Sequence, residues 1–456
     1  MQRETVFDLI GVGFGPSNLA LAVRLAERGG ARTLAHCFVE RQPEFGWHRG
    51  MLLDDCRMQI SFLKDLVTMR DPKSRYTFIN YLFERGRLNE FVNLKNFYPT
   101  RVEFHDYLSW VADAFDDRVH SSETVLGIEP VRGDGARIDA LRVLSRDAAG
   151  HERQRVTRAL SVGVGGTPAI PDAFAALGRD RVIHSSSYLT DIDRLVASPD
   201  GERRRVAVIG AGQSAAEVFI DLARRFPHVD ASLVMRAGAL KPADDSPFVN
   251  EIFAPAYTDV VFEQTQAGRD RLIDEYLNTN YSVIDADLIE RIYAMLYRQK
   301  VSGQFRVNLM TCKTVKGAHA GPNGVELTIA STAPTTGAAD ITDTETRRYD
   351  AVVLATGYTR ESHRRLLAPL EGYLGDFAVD RNYRLQASPA LGVPVYLQGF
   401  CQSSHGLSDT LLSVLPVRAE EIAAAIHDSL HAGHGWGARA GQGQGQSGGS
   451  QAIAAT

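Results

Sequence analysis

The 456-residue sequence predicts an α/β fold in which one supersecondary unit occurs twice. In each copy, a short strand rich in branched apolar residues leads into a glycine-rich turn, a helix and a second strand. A further apolar strand covers residues 350–355 and runs into the sequence Thr-Gly-Tyr. Strands that alternate with helices indicate parallel sheets, and the repeated unit indicates two Rossmann-like dinucleotide-binding domains.

The first unit lies at the amino terminus. Residues 6–10 predict its first strand, and apolar residues at helical spacing between positions 19 and 25 predict the helix. Pro16 stands where this helix begins, a position at which its missing N–H group costs nothing. Residues 36–40 predict the second strand.

The second unit begins about 200 residues later, with a strand expected over residues 205–210, a helix over 215–226 and a strand over 231–236. Residues 316–346 are polar and rich in Thr, Ala and Gly, which is consistent with exposed strands and loops.

A helical insert is expected over residues 268–300, with an interruption at 278–282. Ser282 and Asp285 have the spacing of a capping box, which is typical of the start of a helix. We therefore expect this segment to form a small helical region.

These elements divide the chain into four segments. They are the first module over 1–200, the second module over 201–345 with an insert at about 246–300, a return to the first module over 346–431, and a tail over 432–456. The tail consists mainly of Gly, Gln, Ala and Ser without an apolar period, so we expect it to be disordered.

Composition excludes several classes of function. With 50 Lys and Arg against 55 Asp and Glu, the net charge is −5, which argues against binding to nucleic acid or to an anionic membrane. The four cysteines form no C-x-x-C pair, which excludes a local zinc knuckle or dithiol centre and suggests a reducing, cytoplasmic location. No secretory signal and no membrane-spanning segment is apparent.

The first glycine turn has the pattern G-x-G-x-x-N from Gly13 and Gly15 to Asn18. Such glycines let the backbone approach a pyrophosphate, and the following helix supplies N–H groups. Asn18 departs from the usual third glycine. Glu40 ends the next strand, where an acid binds ribose hydroxyls. The alternative is an ordinary tight turn.

The second turn has the pattern G-x-G-x-x-A from Gly210 and Gly212 to Ala215. Arg236, rather than an acid, ends the following strand, which favours a 2′-phosphate and therefore NADP(H) over NAD(H). The alternative is a surface arginine. Two polar residues of the first helical turn are candidates for phosphate contacts, Gln213 and Ser214. A chain with two such modules needs a hydride donor and an electron acceptor, and NADPH and a flavin fit that need.

Six segments carry a resemblance to a known family: residues 11–19, 58–65, 245–250, 278–282, 355–358 and 405–413. They resemble the microbial N-hydroxylating flavin monooxygenases, and most closely the pyoverdine-type L-ornithine N(5)-monooxygenases. The resemblance extends in order over about residues 5–430.

The resemblance implies an enzyme that uses FAD, NADPH and O₂ to hydroxylate the side-chain amine of L-ornithine through a C4a-hydroperoxyflavin, for hydroxamate siderophore biosynthesis. Together with the glycine turns it predicts FAD contacts at Gly11, Gly13, Gly15, Pro16, Ser17, Asn18, Glu40, Trp47, His48, Gln59, Val125, Thr410, Leu411 and Leu412. It predicts NADPH contacts at Gly210, Gly212, Gln213, Ser214, Arg236, Asn280, Tyr281 and Ser282. It implies substrate contacts at Lys64, Asn250, Asn280 and Ser413, with Gln59 and Asn280 nearest to the chemistry. Because Asn250 and Asn280 lie in the helical insert, the resemblance implies that this small helical region binds the substrate.

The reacting amine must be neutral, because its lone pair attacks oxygen. A lysine-like amine has a pKa of roughly 10.4, so the neutral form costs about 4–5 kcal/mol at pH 7. A nearby carboxylate would raise this cost, whereas a nearby cation would lower it. The residues implied for the site include no carboxylate and one cation, Lys64.

Several alternatives remain open at this point. A related enzyme acting on lysine, a diamine or a sulfide fits the same motifs, since ornithine and lysine differ by one methylene. A disulfide reductase is disfavoured by the absence of C-x-x-C. A protein of another class, a non-catalytic NADPH-binding regulator, would lack flavin. His405 next to Gly406 is expected to be structural rather than a general base. A homo-oligomer is compatible with the sequence.

Overall fold

The computed structural model describes residues 5–28, 34–132, 137–331 and 344–432. The expected disordered tail, apart from its first residue, lies outside the described residues. The described ranges contain thirteen α-helices and twenty-one strands.

The helices are α1 (Pro16–Glu27), α2 (Phe78–Glu84), α3 (Leu88–Asn93), α4 (Arg101–Asp113), α5 (Tyr188–Leu195), α6 (Gln213–Arg225), α7 (Pro247–Asn250), α8 (Tyr257–Phe262), α9 (Gln266–Tyr276), α10 (Ala286–Ser302), α11 (Ser362–Leu366), α12 (Gln402–His405) and α13 (Leu415–Ala432). The strands are β1 (Val6–Phe7), β2 (Leu9–Val12), β3 (His36–Val39), β4 (Val119–His120), β5 (Glu123–Val131), β6 (Ala140–Asp147), β7 (Glu152–Thr157), β8 (Leu160–Val162), β9 (Thr167–Pro168), β10 (Val182–His184), β11 (Arg204–Ile209), β12 (Val229–Val234), β13 (Val307–Met310), β14 (Lys313–Gly321), β15 (Gly324–Ser331), β16 (Thr344–Tyr349), β17 (Ala351–Leu354), β18 (Tyr358–Thr359), β19 (Leu374–Val379), β20 (Leu385–Ala387) and β21 (Val395–Leu397).

The first module is built on a parallel sheet of five strands in the order β21-β8-β2-β3-β4. Leu9 pairs with His36 and Val12 with Val39, so the first glycine turn leaves the carboxyl edge of this sheet. Helix α1 begins at Pro16, as predicted. Strands β2 and β3 are buried along their whole length, as expected for a sheet covered on both faces.

The second module is also a parallel sheet of five strands, in the order β10-β17-β11-β12-β13. The structure differs here from the predicted boundaries at 201 and 345. Strand β10 precedes the first boundary and β17 follows the second, yet both pair within this sheet. Neither short strand is followed by a glycine-rich turn, so their sequences carry no signal that assigns them to one module.

Two further sheets lie beside the parallel sheets. Strands β5, β6 and β7 form an antiparallel sheet with β1 added parallel to β7 at its edge, and β14, β15 and β16 form an antiparallel sheet. The second sheet contains the strands expected within residues 316–346, of which 332–343 lie outside the described residues. Its strand β15 is not exposed as expected, because Val325, Leu327 and Ile329 are fully buried. Strands β9 and β18 pair where the chain passes between the modules.

The insert between the modules is helical and is interrupted as predicted. Helix α9 begins at Gln266, two residues before the predicted start. A 3₁₀ turn over Leu277–Thr279 follows, and Ser282 adopts a positive φ of 60°. The expected capping box is wrong, because α10 begins at Ala286 and its N-cap residue is Asp285 rather than Ser282.

Asn18 explains why the first turn lacks its third glycine. Its buried amide Nδ2 donates to the carbonyl oxygens of Val12 at 3.2 Å and Gly13 at 2.7 Å. Its Oδ1 accepts from Ser161 Oγ and from Gln398 Nε2, both at 2.8 Å. One side chain thus ties the turn to the ends of β8 and β21.

Two properties of the described residues bear on function. None of their helices combines the length and apolarity that a membrane crossing requires. Among the same residues, no group of three or more His, Cys, Asp and Glu side chains is arranged to hold a metal ion.

We expect Asn18→Gly, which restores the more common turn sequence, to destabilise the protein. The change removes the acceptor that Ser161 Oγ and Gln398 Nε2 share and leaves these two groups only their bond to each other, at a cost of about 1–3 kcal/mol. For a chain of this length, the melting temperature should fall by about 1–3 °C. Thermal unfolding measures the effect. Asn89→Gly controls for glycine in a first helical turn, because Asn89 is exposed in α3. Equal stability of Asn18→Gly and the wild type would contradict this account.

Candidate functional site

The first turn presents an open backbone surface at the start of α1. Gly13 has a φ of 83°, and a Cβ there would lie 2.7 Å from the carbonyl oxygen of Gly163. A Cβ at Gly15 would meet nothing within 4 Å, and no side chain caps the helix. The N–H groups of the first helical turn therefore face open space, which suits a phosphate. Gly11 instead lies against the Phe38 ring, where it permits close packing.

Glu40 is held rigidly beside this turn. Its Oε2 accepts the Phe14 N–H at 2.7 Å, and its Oε1 accepts the Gln42 N–H at 2.9 Å. A carboxylate has about four acceptor positions, so both oxygens retain capacity for ribose hydroxyls. This geometry fits the role expected of Glu40.

A buried ion pair brings the carboxyl-terminal segment to the same turn. Arg418 and Asp409 are each 1% exposed and lie 3.0 Å apart. Arg418 also donates to Ser17 Oγ at 2.9 Å, in the first turn of α1. Because Asp409 directly precedes residues 410–412, this pair places three predicted flavin contacts at the first turn.

Trp47 and His48 pack against each other, with ring centroids 4.8 Å apart. His48 adopts a positive φ of 51°. Desolvation by the surrounding protein, together with the charges of Arg101 and Arg360, lowers the pKa of His48 to about 4. Val125 lies at an irregularity in the β5–β6 pairing, and the first residue of β5, Glu123, donates its N–H to the Glu40 carbonyl oxygen.

The second turn is formed as the glycine pattern predicts. Gly210 has a φ of 151°, and a Cβ there would lie 2.4 Å from the carbonyl oxygen of Ala355. Gly212 is the N-cap residue of α6, and Ser214 lies in the first turn of that helix. Arg236 follows β12 at the same sheet edge, is exposed, and has no ion-pair partner within the described ranges. Its guanidinium is free to meet a phosphate.

The side chain of Gln213, a predicted phosphate contact, bonds to two carboxylates of the protein. Its Nε2 donates to Asp285 at 2.8 Å and to Glu217 at 3.0 Å, and its Oε1 accepts the Asp285 N–H at 2.9 Å. Glu217 forms a bidentate pair with Arg101 of the first module, at 2.8 and 2.9 Å. Gln59 donates to the other Asp285 oxygen at 2.9 Å. We call Gln59, Asp285, Gln213, Glu217 and Arg101 the seam network.

The predicted substrate residues come from four separate parts of the chain. Lys64 is half-buried, and this burial lowers its pKa, whereas the nearby carboxylate of Glu251 raises it. Asn250 is the residue before Glu251 and donates to the Asp245 carbonyl oxygen at 2.6 Å. Lys64 and Asn250 are thus brought to the same neighbourhood.

Ser413 is the most informative of these residues. It is 2% exposed, and its Oγ has no hydrogen-bond partner within the described residues. An unpaired buried hydroxyl costs about 1–3 kcal/mol, and such groups usually await a ligand or water. The hydroxyl follows directly after the predicted flavin contacts at 410–412.

The loop at 280–282 joins the two halves of the site. Tyr281 OH donates to Gln402 Oε1 at 3.0 Å and lies 3.3 Å from Thr410 Oγ1. On its other side, Ser282 Cα lies 3.7 Å from where a Gly212 Cβ would stand. Asn280, Tyr281 and Ser282 therefore lie between the second turn and the flavin-contact segment.

Two carboxylates were missed by sequence reasoning. The residues implied for the site include no carboxylate, but the charge of Glu251 acts on Lys64, and Asp285 accepts a hydrogen bond from Gln59. The charge interaction of Glu251 with Lys64 depends on a tertiary arrangement that no motif indicates. The spacing of Asp285 from Ser282 did single it out in the sequence, but that spacing predicted the start of a helix and not a bond to Gln59.

His405 is structural, as expected. It is 1% exposed, stacks on Tyr383 at 4.1 Å, and its two ring nitrogens lie 3.2 Å from the Arg381 carbonyl oxygen and 2.9 Å from Ser404 Oγ. Burial lowers the pKa of His405 to about 4.

A cavity of about 430 Å³ adjoins the seam network and lies between residues 52–57 and helices α6 and α10. Gln213, Glu217 and Asp285 form part of its wall, but none of the predicted substrate residues does.

Comparison with known proteins gives a consistent result. Residues 5–360 match the family model described as L-lysine 6-monooxygenase/L-ornithine 5-monooxygenase. The L-ornithine N(5)-monooxygenase of Burkholderia cepacia is 76% identical over 411 residues, which cover 89% of this chain and 91% of the relative. The ornithine hydroxylase PvdA from Pseudomonas aeruginosa has a solved structure with 51% identity and a TM-score of 0.87, covering 93% of this chain and 100% of that one. The Kutzneria sp. 744 ornithine N-hydroxylase KtzI, solved with reduced FAD, NADP⁺ and L-ornithine, shares 36% identity with a TM-score of 0.86, covering 93% and 99%.

We expect the protein to lose stability as the pH falls from about 6.5 towards 4. The unfolded chain protonates His405 near pH 6.5, the usual pKa of a histidine, whereas the folded chain resists until about 4, so stability is complete above 6.5 and declines below it. This difference in the pKa of His405 should lower the free energy of unfolding by roughly 3 kcal/mol between pH 6.5 and 4. His405→Gln should lower the melting temperature at pH 7 but flatten its decline at acidic pH. His319→Gln, at an exposed position on β14, is the control. An unchanged slope in His405→Gln would contradict the assignment.

Proposed function

The chain belongs to the L-lysine 6-monooxygenase/L-ornithine 5-monooxygenase family, and from this membership we propose that it is an FAD- and NADPH-dependent enzyme that hydroxylates the side-chain amine of L-ornithine. One observation of the structure carries the proposal. The 280–282 loop touches the second glycine turn and the segment beside the first turn, so a substrate there would meet both cofactors. The product is N(5)-hydroxyornithine, a precursor for hydroxamate siderophores.

The residues present fit both cofactors. The uncapped start of α1, the cradle at Gly13 and Gly15, and the anchored Glu40 suit the pyrophosphate and ribose of FAD. The turn at Gly212 and the free Arg236 suit NADPH with its 2′-phosphate. When bound, NADPH supplies the hydride, and FAD supplies the redox chemistry that activates O₂.

The protein's own task is to bind, orient and exclude water. Lys64 is half-buried, which favours an ionic bond between its ammonium and the α-carboxylate of ornithine over a bond to water. Glu251 stands beside Lys64, where its charge offsets that of the lysine and can bind the α-ammonium group. In this proposal, the amino-acid end is held at Lys64 and the side-chain amine reaches the Asn280 backbone.

The distal amine must reach the reaction as a neutral group, at a cost of about 4–5 kcal/mol at pH 7. The Asn280 backbone and the Ser413 hydroxyl are uncharged, so they favour the ammonium form of the amine less than a carboxylate in the same place would. The second carboxylate near the chemistry, Asp285, is occupied by two side-chain amides, which reduces its pull on an ammonium.

The proposal also covers the cellular compartment of the enzyme and the molecules that it binds. Cys37, Cys56, Cys312 and Cys401 are free thiols, which suits a reducing compartment, and we place the enzyme in the cytoplasm. Its partners are the small molecules L-ornithine, O₂ and NADPH.

The direct test is product analysis on the purified, FAD-loaded protein. L-ornithine should support NADPH consumption with formation of N(5)-hydroxyornithine, and L-lysine should give little hydroxylamine. Formation of hydroxylysine in preference would assign the lysine activity instead. A colourless protein that binds NADPH without oxidising it would support the non-catalytic alternative.

We expect Ser413→Ala to weaken ornithine binding without cost to stability. The hydroxyl has no protein partner within the described residues, so its removal should leave the melting temperature of the FAD-loaded enzyme unchanged or slightly raised, while KM for ornithine rises about three- to ten-fold. Ser161→Ala is the matched control, because that buried hydroxyl is fully bonded and its loss should destabilise. A destabilised Ser413→Ala with unchanged KM would contradict the role of Ser413.

We expect Arg236→Ala to raise KM for NADPH about ten- to one-hundred-fold while KM for NADH changes little, because charged hydrogen bonds to the 2′-phosphate are lost. Steady-state kinetics with both cofactors measure the split. Arg298→Ala, an exposed position on α10, controls for the loss of a surface charge. Equal losses with both cofactors would overturn the assignment.

A further inference from the structure

Asp285 lies where the two modules meet and contacts one glutamine from each. Its Oδ1 accepts from Gln59 Nε2 at 2.9 Å, and its Oδ2 accepts from Gln213 Nε2 at 2.8 Å. Gln59 belongs to the first module, and Gln213 is the first residue of α6, directly after the second glycine turn. One carboxylate therefore connects the surroundings of both proposed cofactors.

The carboxylate determines which way each side-chain amide faces. An ionised carboxylate only accepts hydrogen bonds, so both glutamines must turn their NH₂ groups towards Asp285. The Gln213 amide is fixed further, because its Oε1 accepts the Asp285 N–H. The Oε1 of Gln59 consequently faces away from Asp285, and no partner for it lies within the described residues.

Asp285 does not serve its helix in the usual way. It occupies the N-cap position of α10, where an aspartate normally accepts a backbone N–H and contributes about 1 kcal/mol, yet its side chain makes no cap bond. Burial and the charges of Asp287 and Glu217 raise the pKa of Asp285, whereas the bonds from Gln59 and Gln213 lower it. The Asp285 side chain therefore binds the two glutamine amides instead of stabilising the start of α10.

We propose that Asp285 is a positioning residue for the hydroxylation, which holds the Gln59 amide with its carbonyl oxygen towards the reaction site and links that orientation to the second glycine turn through Gln213. The inference rests on the proposed function. It requires no contact between Asp285 and substrate or cofactor, because Asp285 acts through the two glutamines.

The substitution Asp285→Asn has a specific consequence. Asparagine offers one acceptor and one donor, so it satisfies only one of the two NH₂ groups. The Gln59 amide is then free to turn over and present its NH₂ group instead of its carbonyl oxygen. Asp287→Asn is the matched control, because Asp287 lies in the same first turn of α10, is exposed, and has no bonding partner within the described part of the chain.

The test uses the FAD-loaded enzyme and two measurements. The first is coupling, the fraction of consumed NADPH recovered as N(5)-hydroxyornithine rather than hydrogen peroxide. The second is the dissociation constant of NADP⁺ for the oxidised enzyme, from the change in flavin absorbance. We expect Asp285→Asn to lower coupling at least three-fold and raise the NADP⁺ dissociation constant about five-fold, with Asp287→Asn close to wild type.

A double-mutant cycle separates positioning from general structure. If Asp285 acts through Gln59, then Asp285→Asn should lower coupling little further in a Gln59→Ala background. Full additivity of the two effects, or wild-type coupling and NADP⁺ affinity in Asp285→Asn, would overturn the proposal. Should Asp285→Asn fail to hold FAD, Asp285→Ser replaces it in the same cycle, because serine is a good N-cap residue that cannot hold both amides.

The two proposals fail differently. A wild-type enzyme that forms no hydroxyornithine refutes the proposed function, whereas a wild-type enzyme that couples well beside an equally coupled Asp285→Asn refutes only the positioning role.

Discussion

The site depends on the way Arg101 of the first module binds Glu217 of the second. Both side chains are largely buried, and their bidentate contact is extended through Gln213 to Asp285 and Gln59. Replacing such a pair with apolar residues is often neutral, but removing one partner typically costs about 3–5 kcal/mol because a charge is left buried. The pair therefore fixes the register of the two modules more than it adds stability. Since the substrate residues come from both modules, that register decides whether they converge.

Under the proposed function, the two ends of the substrate would be recognised by different interactions. Charge would bind the amino-acid end at half-buried Lys64, on which the charge of Glu251 acts. Uncharged groups would bind the reacting end, where the buried Ser413 hydroxyl has no partner of its own within the described residues. This division would bind the charged end tightly without placing a further carboxylate at the distal amine. Arg418 and Asp409 hold the Ser413 segment in place, because their buried pair connects the residues before Ser413 to the first turn of α1.

Much of the fold could be predicted from the sequence, because the spacing of apolar residues and the glycine turns are local features that determine local structure. Both turns, the start of α1 at Pro16 and the interruption of the insert were predicted. The module boundaries were not, since β10 and β17 are short and only long-range pairing assigns them. Within the site, the positions of Arg236 and Glu40 are compatible with the cofactor contacts predicted for them, which stay predictions, and the Gln213 side chain bonds to Asp285. Lys64 and Glu251, whose charges interact, come from segments far apart in the sequence, and no local pattern indicates that they lie near each other.

The central claim is that ornithine binds where the two modules converge. A crystal structure of the protein with FAD, NADP⁺ and L-ornithine tests it most directly. The account predicts the α-carboxylate at Lys64, the side-chain amine at the Asn280 backbone, and a hydrogen bond from ornithine to the Ser413 hydroxyl. Ornithine found elsewhere, for example in the cavity beside residues 52–57, with Ser413 still unpartnered, would contradict it.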